Sequence, residues 1–215
     1  IESLEDACPD APVEGEKVAL SEHASKELIK QYGVPVPGEA IAKDEEEAVK
    51  LAEEIGFPIV MKVESADILH KSDVGGVKLN INSEAAVCTA YKEIMSSCTS
   101  KCPDAKINGI LMQKMLDKGT EVIVGITNDP SFGPMILCGM GGVFTEVFKD
   151  VSLYPAPLKK TDALSMIKSL KAYKLMTGYR GHPELDVDAL ADLLVSVGQF
   201  AVDHRNDIVE MDINP

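Results

Sequence analysis

A single histidine stands in a polar loop of the sequence, where it can be either a solvated residue or a nucleophile. His70 follows the apolar run FPIVMKV, and Gly75 and Gly76 come shortly after it. Imidazole is neutral and nucleophilic near pH 7. Lys62, near the end of the apolar run, must extend to water or meet an anion, because an unpaired buried ammonium group is costly. The two glycines allow an anion site of consecutive amides, although such a pair most often marks a turn.

The last residues of the chain, EMDINP, offer a second group of chemical interest. In a strand, Glu210, Asp212 and Asn214 alternate with apolar residues, so their oxygen-bearing side chains share one face. Three such groups suit Mg²⁺, which binds hard oxygen ligands and keeps several waters or nucleotide phosphates. A solvated acidic face is the alternative. Like charges side by side gain little without a cation, which favours the metal.

A third segment, ILMQKMLDKGTEVIVG, has two interpretations. Gln113, Lys114 and Met115 end one apolar strand, and Glu121 opens the next. Backbone groups at a strand end suit the edge of an adenine ring, and a nearby carboxylate suits the hydroxyl pair of a ribose. A charged β-hairpin with a solvated Glu121 explains the same residues, and the sequence alone favours it.

The composition excludes several classes of protein. The chain has 215 residues, of which 45% are hydrophobic, and a formal net charge of −14. This acidic balance argues against nucleic acid or an anionic membrane as a partner, although a small phosphate site needs only local lysines and amides. No run of about 20 apolar residues occurs, so no membrane span is expected. Five scattered cysteines and an acidic start without signal-peptide features predict a cytoplasmic protein with reduced thiols.

The predicted helices and strands interleave in an α/β (α+β) order. Residues 1–18 are predicted to form an acidic linker, and 19–215 a domain with one lobe at about 20–110 and another at about 110–215. The second lobe has more antiparallel character. The steady alternation of a doubly wound parallel sheet is absent, as are both common glycine-rich nucleotide fingerprints.

Six segments in this order resemble the ATP-grasp domain of the nucleoside-diphosphate-forming acyl-CoA synthetases, in particular the β subunit of ADP-forming acetyl-CoA synthetase. They are LSEHASKELIKQYGVPVP, GFPIVMKVES, ILHKSDVGGVKL, the stretch from GILMQKM to VFKD, LMTGYRGHPELD and EMDINP. The resemblance covers about 19–215 and implies an ATP-grasp fold, with two α/β lobes and the nucleotide bound between them. It also implies an acid–thiol ligase that catalyses acyl-CoA + ADP + phosphate ⇌ acid + CoA + ATP.

The resemblance assigns roles to the residues already singled out. His70 matches the histidine proposed to carry the phosphoryl group within this subunit. The other matched positions are Lys62 for the nucleotide phosphates, Gln113, Lys114 and Met115 for the adenine side, Glu121 for the ribose, and Asp212 with Asn214 for the metal, with Asp212 also orienting the phosphohistidine.

The same resemblance implies a cofactor and a partner. ATP or ADP is the substrate, with Mg²⁺ as the metal, and a CoA-binding α subunit or fused α domain carries a first phosphohistidine. The assembly is expected to be an α2β2 heterotetramer or a fused dimer. The family runs on for about one more strand and usually another acidic metal ligand. The N-terminal linker is unusual for a free β subunit and suggests the grasp portion of a fused chain, and the sequence leaves both a separate subunit and a fusion open.

Two other functions compete with this one. The chain can be a nucleotide-binding regulatory module of a fused protein, or another ATP-grasp carboxylate ligase that forms an acyl phosphate directly. Neither needs a histidine at position 70, so the presence of His70 together with Lys62 and the EMDINP face favours the synthetase. The sequence does not indicate the acyl substrate or a preference for ADP over GDP.

Overall fold

The computed structural model describes residues 17–117, 119–141, 149–181 and 183–213. Most of the predicted linker at 1–18, and Asn214 of the predicted metal site, lie outside these ranges. The chain divides into two compact units. The N-terminal unit contains Val18–Lys30 and Pro35–Lys118, and the C-terminal unit contains Gln31–Val34 and Gly119–Pro215.

The N-terminal unit is a four-stranded antiparallel sheet with three helices, and its strand order is β1-β4-β2-β3. Its elements in chain order are α1 (Glu22–Lys30), β1 (Glu39–Ala42), α2 (Glu45–Ile55), β2 (Ile59–Glu64), β3 (Val77–Ile81), α3 (Glu84–Lys101) and β4 (Gly109–Lys114).

One face of this sheet forms the core of the unit. Along β2, alternate side chains point to opposite faces, so Ile59, Met61 and Val63 share one face and are fully buried. They pack in one cluster with residues of α2 and α3, including Ala52 and Ile94. The remaining β2 positions therefore project from the opposite face.

Helix α2 begins where its sequence provides a cap. The Asp44 side chain accepts a 2.8 Å hydrogen bond from the Glu47 amide, and the Glu47 carboxylate accepts one of 2.8 Å from the Lys43 amide. These bonds satisfy donors that the first turn of a helix leaves unpaired. Gly56 ends the helix with φ of +79°, a conformation that favours glycine.

The C-terminal unit is a second four-stranded antiparallel sheet, in the order β7-β6-β5-β8, with helices packed against it. Its elements are β5 (Val122–Asp129), β6 (Gly133–Met140), β7 (Val151–Pro155), α4 (Lys160–Lys168), α5 (Tyr173–Met176), a short 3-10 turn (Tyr179–Gly181), α6 (Val187–Asp203) and β8 (Glu210–Ile213). Of the helices in the described ranges, none is long and apolar enough to cross a membrane.

The predicted hairpin between the strands now numbered β4 and β5 is wrong. Strand β4 pairs with β1 and β2 in the N-terminal sheet, whereas β5 pairs with β6 and β8 in the C-terminal sheet. The first five residues of β4 are buried, as expected for a central strand that has neighbours on both edges. Sequence proximity and turn residues suggested the pairing, but the partners that cover each strand are distant in sequence.

Candidate active site

Polar side chains line the face of the N-terminal sheet that is turned away from its core. Lys62 and Glu64 project from β2 on this face, and the sheet register aligns Glu39 of β1 with Gln113 of β4. Helix α1 supplies further charged side chains to the same face, including Glu22. The face is a charged surface built by three strands and one helix.

The anion that Lys62 meets in this structure is a carboxylate. Its ammonium group donates a 2.8 Å hydrogen bond to Glu22 Oε1, and its side chain is 26% exposed. The charge is therefore paired within the protein while remaining within reach of solvent. The predicted role in binding nucleotide phosphates stays a prediction, and it requires a phosphate to compete with Glu22.

Glu22 is the centre of the charged face, because three lysines converge on it. Oε1 accepts from Lys26 at 2.7 Å and from Lys62 at 2.8 Å, and Oε2 accepts from Lys71 at 2.6 Å. Burial acts to raise the pKa of this carboxyl, but the three lysines outweigh burial and hold the pKa well below its ordinary value. Glu22 is therefore ionised throughout the physiological range.

A second carboxylate, that of Glu39, is in hydrogen-bond contact with three neighbouring side chains. It receives hydrogen bonds from Lys26 at 2.8 Å and from the Gln113 amide at 2.5 Å, and His23 Nδ1 lies 2.8 Å from its other oxygen. Burial acts to raise the pKa of Glu39, and the hydrogen bonds from Lys26, His23 and Gln113 lower it overall. The side chain of Gln113 is thus engaged with Glu39.

Glu64 is the least satisfied member of the face. Its side chain is 1% exposed, and one oxygen accepts from the His23 amide at 3.3 Å. Within the described residues the other oxygen, Oε2, has no hydrogen-bond partner, and the ammonium group of Lys71 lies 3.8 Å from it. A buried carboxylate oxygen without a hydrogen bond is costly, so the nearby positive charge of Lys71 is important to the site.

His70 lies in the loop that joins β2 to β3. Its side chain is exposed and has no hydrogen-bond or ion-pair partner in the part of the chain that the structure describes. Its carbonyl accepts from the Asp73 amide at 3.2 Å, which closes a turn immediately after it. The predicted loop position of His70 is thus observed, and its role as a phosphoryl carrier stays a prediction.

The backbone conformation of Gly75 and the close packing around Gly76 both favour glycine over residues with a side chain. Gly75 has φ of +74°, and a Cβ on Gly76 would lie 2.6 Å from Val63 Cγ1. Their amides donate to the carbonyls of Ser72 at 3.0 Å and Lys71 at 2.7 Å, respectively. The two amides are engaged within the loop, and anion binding by these glycines stays a prediction.

The predicted adenine and ribose residues are divided between the two units. Lys114 donates to the carbonyls of Gly56 at 2.7 Å and Phe57 at 2.6 Å, so its side chain closes the end of α2. The Met115 amide donates to the Pro58 carbonyl at 3.0 Å. Glu121 belongs to the C-terminal unit, where its side chain is exposed.

The predicted metal ligands lie on β8 in the C-terminal unit. Glu210 and Asp212 are exposed, and they alternate with half-buried residues as predicted. Asp212 lies opposite Gly125 of β5, where a Cβ would approach its Oδ1 to 3.1 Å. Within the described residues, no three or more His, Cys, Asp or Glu side chains are grouped to hold a metal ion.

Sequence reasoning missed most of the charged face. Two signals were present: an i, i+4 acid–base pair on α1, and an acidic residue two positions after Lys62 in an apolar strand. The residues overlooked are Glu22, His23, Lys26, Glu39, Glu64 and Lys71.

Comparison with known proteins identifies the class of this fold. A model of a family described as "ATP-grasp domain" matches residues 11–215. The predicted ATP-grasp fold is therefore confirmed, and the class is one of nucleotide-binding domains.

Curated relatives define the family more narrowly. The β subunit of an ADP-forming acetate–CoA ligase (isozyme I) of Pyrococcus furiosus is 46% identical over 196 residues, which cover 91% of this chain and 84% of that subunit. The ADP-forming acetate–CoA ligase I of Archaeoglobus fulgidus is 50% identical over 157 residues, which are 73% of this chain and 23% of that protein. The chain belongs to the ATP-grasp family of ADP-forming acetate–CoA ligase β subunits and domains.

Solved structures of one further relative have the same fold. The acetyl-coenzyme A synthetase 1 of Ca. Korarchaeum cryptofilum, in complex with coenzyme A, Ca-AMPCP and HgCl⁺, is 49% identical with a TM-score of 0.89, covering 93% of this chain and 86% of that chain. A second structure, with coenzyme A and Mg-AMPPCP and its phosphohistidine segment pointing towards the nucleotide-binding site, is 45% identical with a TM-score of 0.80, covering 93% and 85%.

Proposed function

We propose that this chain is the nucleotide-binding, phosphoryl-transferring part of an ADP-forming acetyl-CoA synthetase. The overall reaction is acetyl-CoA + ADP + phosphate ⇌ acetate + CoA + ATP. The observation that carries the proposal concerns the loop of the exposed His70. Lys71, the next residue, and Lys62 both donate hydrogen bonds to the carboxylate of Glu22. Two cations, one of which follows His70 directly in the sequence, are thereby gathered on one face of the N-terminal unit.

His70 is proposed to carry the phosphoryl group. In the direction of ATP synthesis, an oxygen of the β-phosphate of ADP attacks the phosphorus of phosphohistidine, the N–P bond breaks, and neutral imidazole leaves. In the reverse direction the imidazole nitrogen attacks the γ-phosphorus of ATP and releases ADP. An exposed imidazole that has no hydrogen-bond or ion-pair partner among residues 17–117, 119–141, 149–181 and 183–213 suits both steps.

Lys62 is proposed to bind the nucleotide phosphates. Phosphoryl transfer depends mainly on positioning and on neutralisation of phosphate charge, which an ammonium group supplies as a charge-assisted donor. Lys62 already holds a carboxylate oxygen at 2.8 Å, and a phosphate oxygen is a chemically similar acceptor. Gln113, Lys114 and Met115 are then proposed for the adenine side and Glu121 for the ribose.

Mg²⁺ is the proposed metal, with Asp212 and Glu210 as ligands together with Asn214. The two exposed carboxylates fit a cation that keeps several waters, and Gly125 leaves space beside Asp212. When bound, the ion would neutralise nucleotide phosphates. The Ca. Korarchaeum cryptofilum relative was solved with Mg-AMPPCP.

A CoA-binding partner is part of the proposal. The Pyrococcus furiosus relatives are named β subunits, and this chain spans only 23% of the Archaeoglobus fulgidus relative. We infer a separate α subunit or a fused α domain, in an α2β2 heterotetramer or a fused dimer. Acetyl-CoA and ADP as substrates also favour a cytoplasmic location.

The test is transfer of label from [γ-³²P]ATP with Mg²⁺, with and without a CoA-binding α partner from a relative. An acid-labile, base-stable label should form on the wild-type chain and disappear in His70→Ala. Leu69→Ala is the matched control, because Leu69 is the exposed neighbour of His70 and should leave the label intact.

Two outcomes would contradict the proposal. Label that persists in His70→Ala would remove His70 from the reaction and favour another ATP-grasp ligase that forms an acyl phosphate directly. Nucleotide binding without any label, in the presence of a competent partner, would favour a regulatory module.

A further inference from the structure

The residue after His70 is held very differently from His70 itself. The Lys71 ammonium group donates to Glu22 Oε2 at 2.6 Å, and the Lys71 side chain is 12% exposed. The His70 side chain, in contrast, is exposed. The loop therefore turns one side chain towards solvent and the next into the charged face of the sheet.

Glu22, which accepts the hydrogen bond of Lys71, also contacts Lys62 of the proposed phosphate site. Glu22 binds Lys71 through one carboxylate oxygen and Lys62 through the other, at 2.6 and 2.8 Å. The two ammonium groups are separated by a single carboxylate. Glu22 itself is held in the first turn of α1 by Lys26, which also bonds Glu39 at 2.8 Å. The anchor point of the loop is thus connected to the strands of the sheet.

Other contacts hold the loop on both sides of His70, and the side chain of Ile68 is buried in the core cluster. Before His70, the Lys106 amide donates to Asp67 at 2.7 Å. After it, Ser97 donates to the Val74 carbonyl at 2.6 Å. The Lys101 ammonium group of α3 also donates to the Asp73 carbonyl, at 3.2 Å. Between Asp67 and Asp73, Lys71 is the residue whose side-chain hydrogen bond joins the loop to another element of the described structure.

Glu64 strengthens the attraction on Lys71. Its buried Oε2, which has no hydrogen-bond partner in the part of the chain that the structure describes, lies 3.8 Å from Lys71 Nζ. The ammonium group therefore lies between two carboxylates, those of Glu22 and Glu64. Removal of this charge would leave Glu64 without a nearby cation, and an uncompensated buried charge is strongly unfavourable.

We propose that Lys71 is a positioning residue whose ion pair with Glu22 holds the loop of His70 beside Lys62, in the orientation from which His70 exchanges a phosphoryl group with the nucleotide. This inference rests on the proposed function for the transfer step. The anchoring itself is a property of the protein without nucleotide, so the two can be tested separately.

The first measurement is amide hydrogen exchange without nucleotide, for wild type, Lys71→Met and Lys71→Arg. The Asp73 and Gly76 amides, both hydrogen-bonded within the loop, report on its order. In Lys71→Met they should exchange about tenfold faster, as expected when one charge-assisted hydrogen bond is lost. Lys71→Arg should restore most of the protection, and unchanged exchange in α3 shows that the fold is intact.

The second measurement is the single-turnover rate of His70 labelling from [γ-³²P]ATP, together with the dissociation constant of ATP. In Lys71→Met the labelling rate should fall about tenfold while the dissociation constant changes less than about threefold, because the loop rather than the nucleotide is displaced. Lys78→Met is the matched control, since Lys78 pairs with Glu93 at the exposed surface.

The outcomes separate the inference from the function on which it rests. Loop exchange in Lys71→Met within about twofold of wild type, or faster exchange with an unchanged labelling rate, would overturn the positioning role. A wild-type chain that takes no label at His70 would instead overturn the proposed function, and the exchange rates would still decide whether Lys71 anchors the loop.

Discussion

At the scale of single residues, the charged face depends on one carboxylate shared by three lysines. Glu22 lies within 2.8 Å of the ammonium groups of Lys26, Lys62 and Lys71. Its pKa is depressed because the lysines outweigh the effect of burial. A depressed pKa means that folding favours the ionised form, so the carboxyl stabilises the protein above its unfolded pKa.

Glu22 is expected to contribute to acid denaturation. The stabilisation is complete at neutral pH and declines as the pH falls below about 4.5, the ordinary pKa of the carboxyl, towards the lower folded value. Glu22→Gln should lower the free energy of unfolding by about 2 kcal/mol at pH 7, a value between those of exposed and buried pairs. Urea titrations between pH 7 and 3 would show the difference from wild type shrinking as the pH falls.

Glu93→Gln is the control for this experiment, because Glu93 pairs with Lys78 at the surface. An exposed pair contributes about 0–1 kcal/mol, so this variant should remain close to wild type. A Glu22→Gln difference that stays constant over the whole pH range would contradict the assigned pKa shift.

Lys62 is expected to control nucleotide affinity. Lys62→Met removes a charge-assisted hydrogen bond to phosphate, worth about 1.5–3 kcal/mol, so the dissociation constant of ATP should rise about 10- to 100-fold. Isothermal titration calorimetry measures the change, with Lys78→Met as the control. Unaltered ATP affinity in Lys62→Met would remove this lysine from the phosphate site.

At the scale of elements, the loop between β2 and β3 is shaped by close packing as well as by charge. A Cβ at Gly76 would lie 2.6 Å from Val63 Cγ1 and 2.9 Å from the Lys71 carbonyl. A side chain at this position must displace either the core face of β2 or the backbone of the residue that anchors the loop.

Gly76→Ala should therefore destabilise the N-terminal unit by about 1–3 kcal/mol, as overpacking of a core usually does. Thermal unfolding measures the loss. Gly38→Ala is the control, because within the described residues a Cβ there would have no heavy atom within 4 Å other than those of its chain neighbours. A Gly76→Ala protein as stable as the control would show that the loop adapts without cost.

Sequence patterns predicted elements better than they predicted pairings. The apolar run before His70 forms β2, and the alternation in EMDINP appears along β8. The order of β4 and β5 suggested a hairpin, yet each strand pairs with others in its own sheet. Periodicity is a local property, whereas strand partners are chosen by burial over the whole sheet.

At the scale of the whole molecule, the proposed function requires a partner. The chain matches 84% of a Pyrococcus furiosus β subunit but 23% of the Archaeoglobus fulgidus ligase. We expect ATP formation from acetyl-CoA, ADP and phosphate only when a CoA-binding α subunit is added. A coupled assay for ATP tests this, with the His70→Ala chain plus α subunit as the control. ATP formation by the chain alone would contradict the proposed requirement for an α subunit.

The sequence by itself determined which residue types were available for chemistry and where the principal elements lie. Local sequence patterns identified the loop histidine, the strand lysine and the alternating acidic residues at the C-terminal end. Only the tertiary structure decided which charges meet. Glu22 is 40 residues from Lys62 and 49 from Lys71 in the sequence. The charged face exists because α1 brings the Glu22 carboxylate to the lysines of β2 and of the loop that follows it. Ion pairs of this kind depend on distances of a few ångströms in the folded chain, and local sequence patterns do not specify such distances.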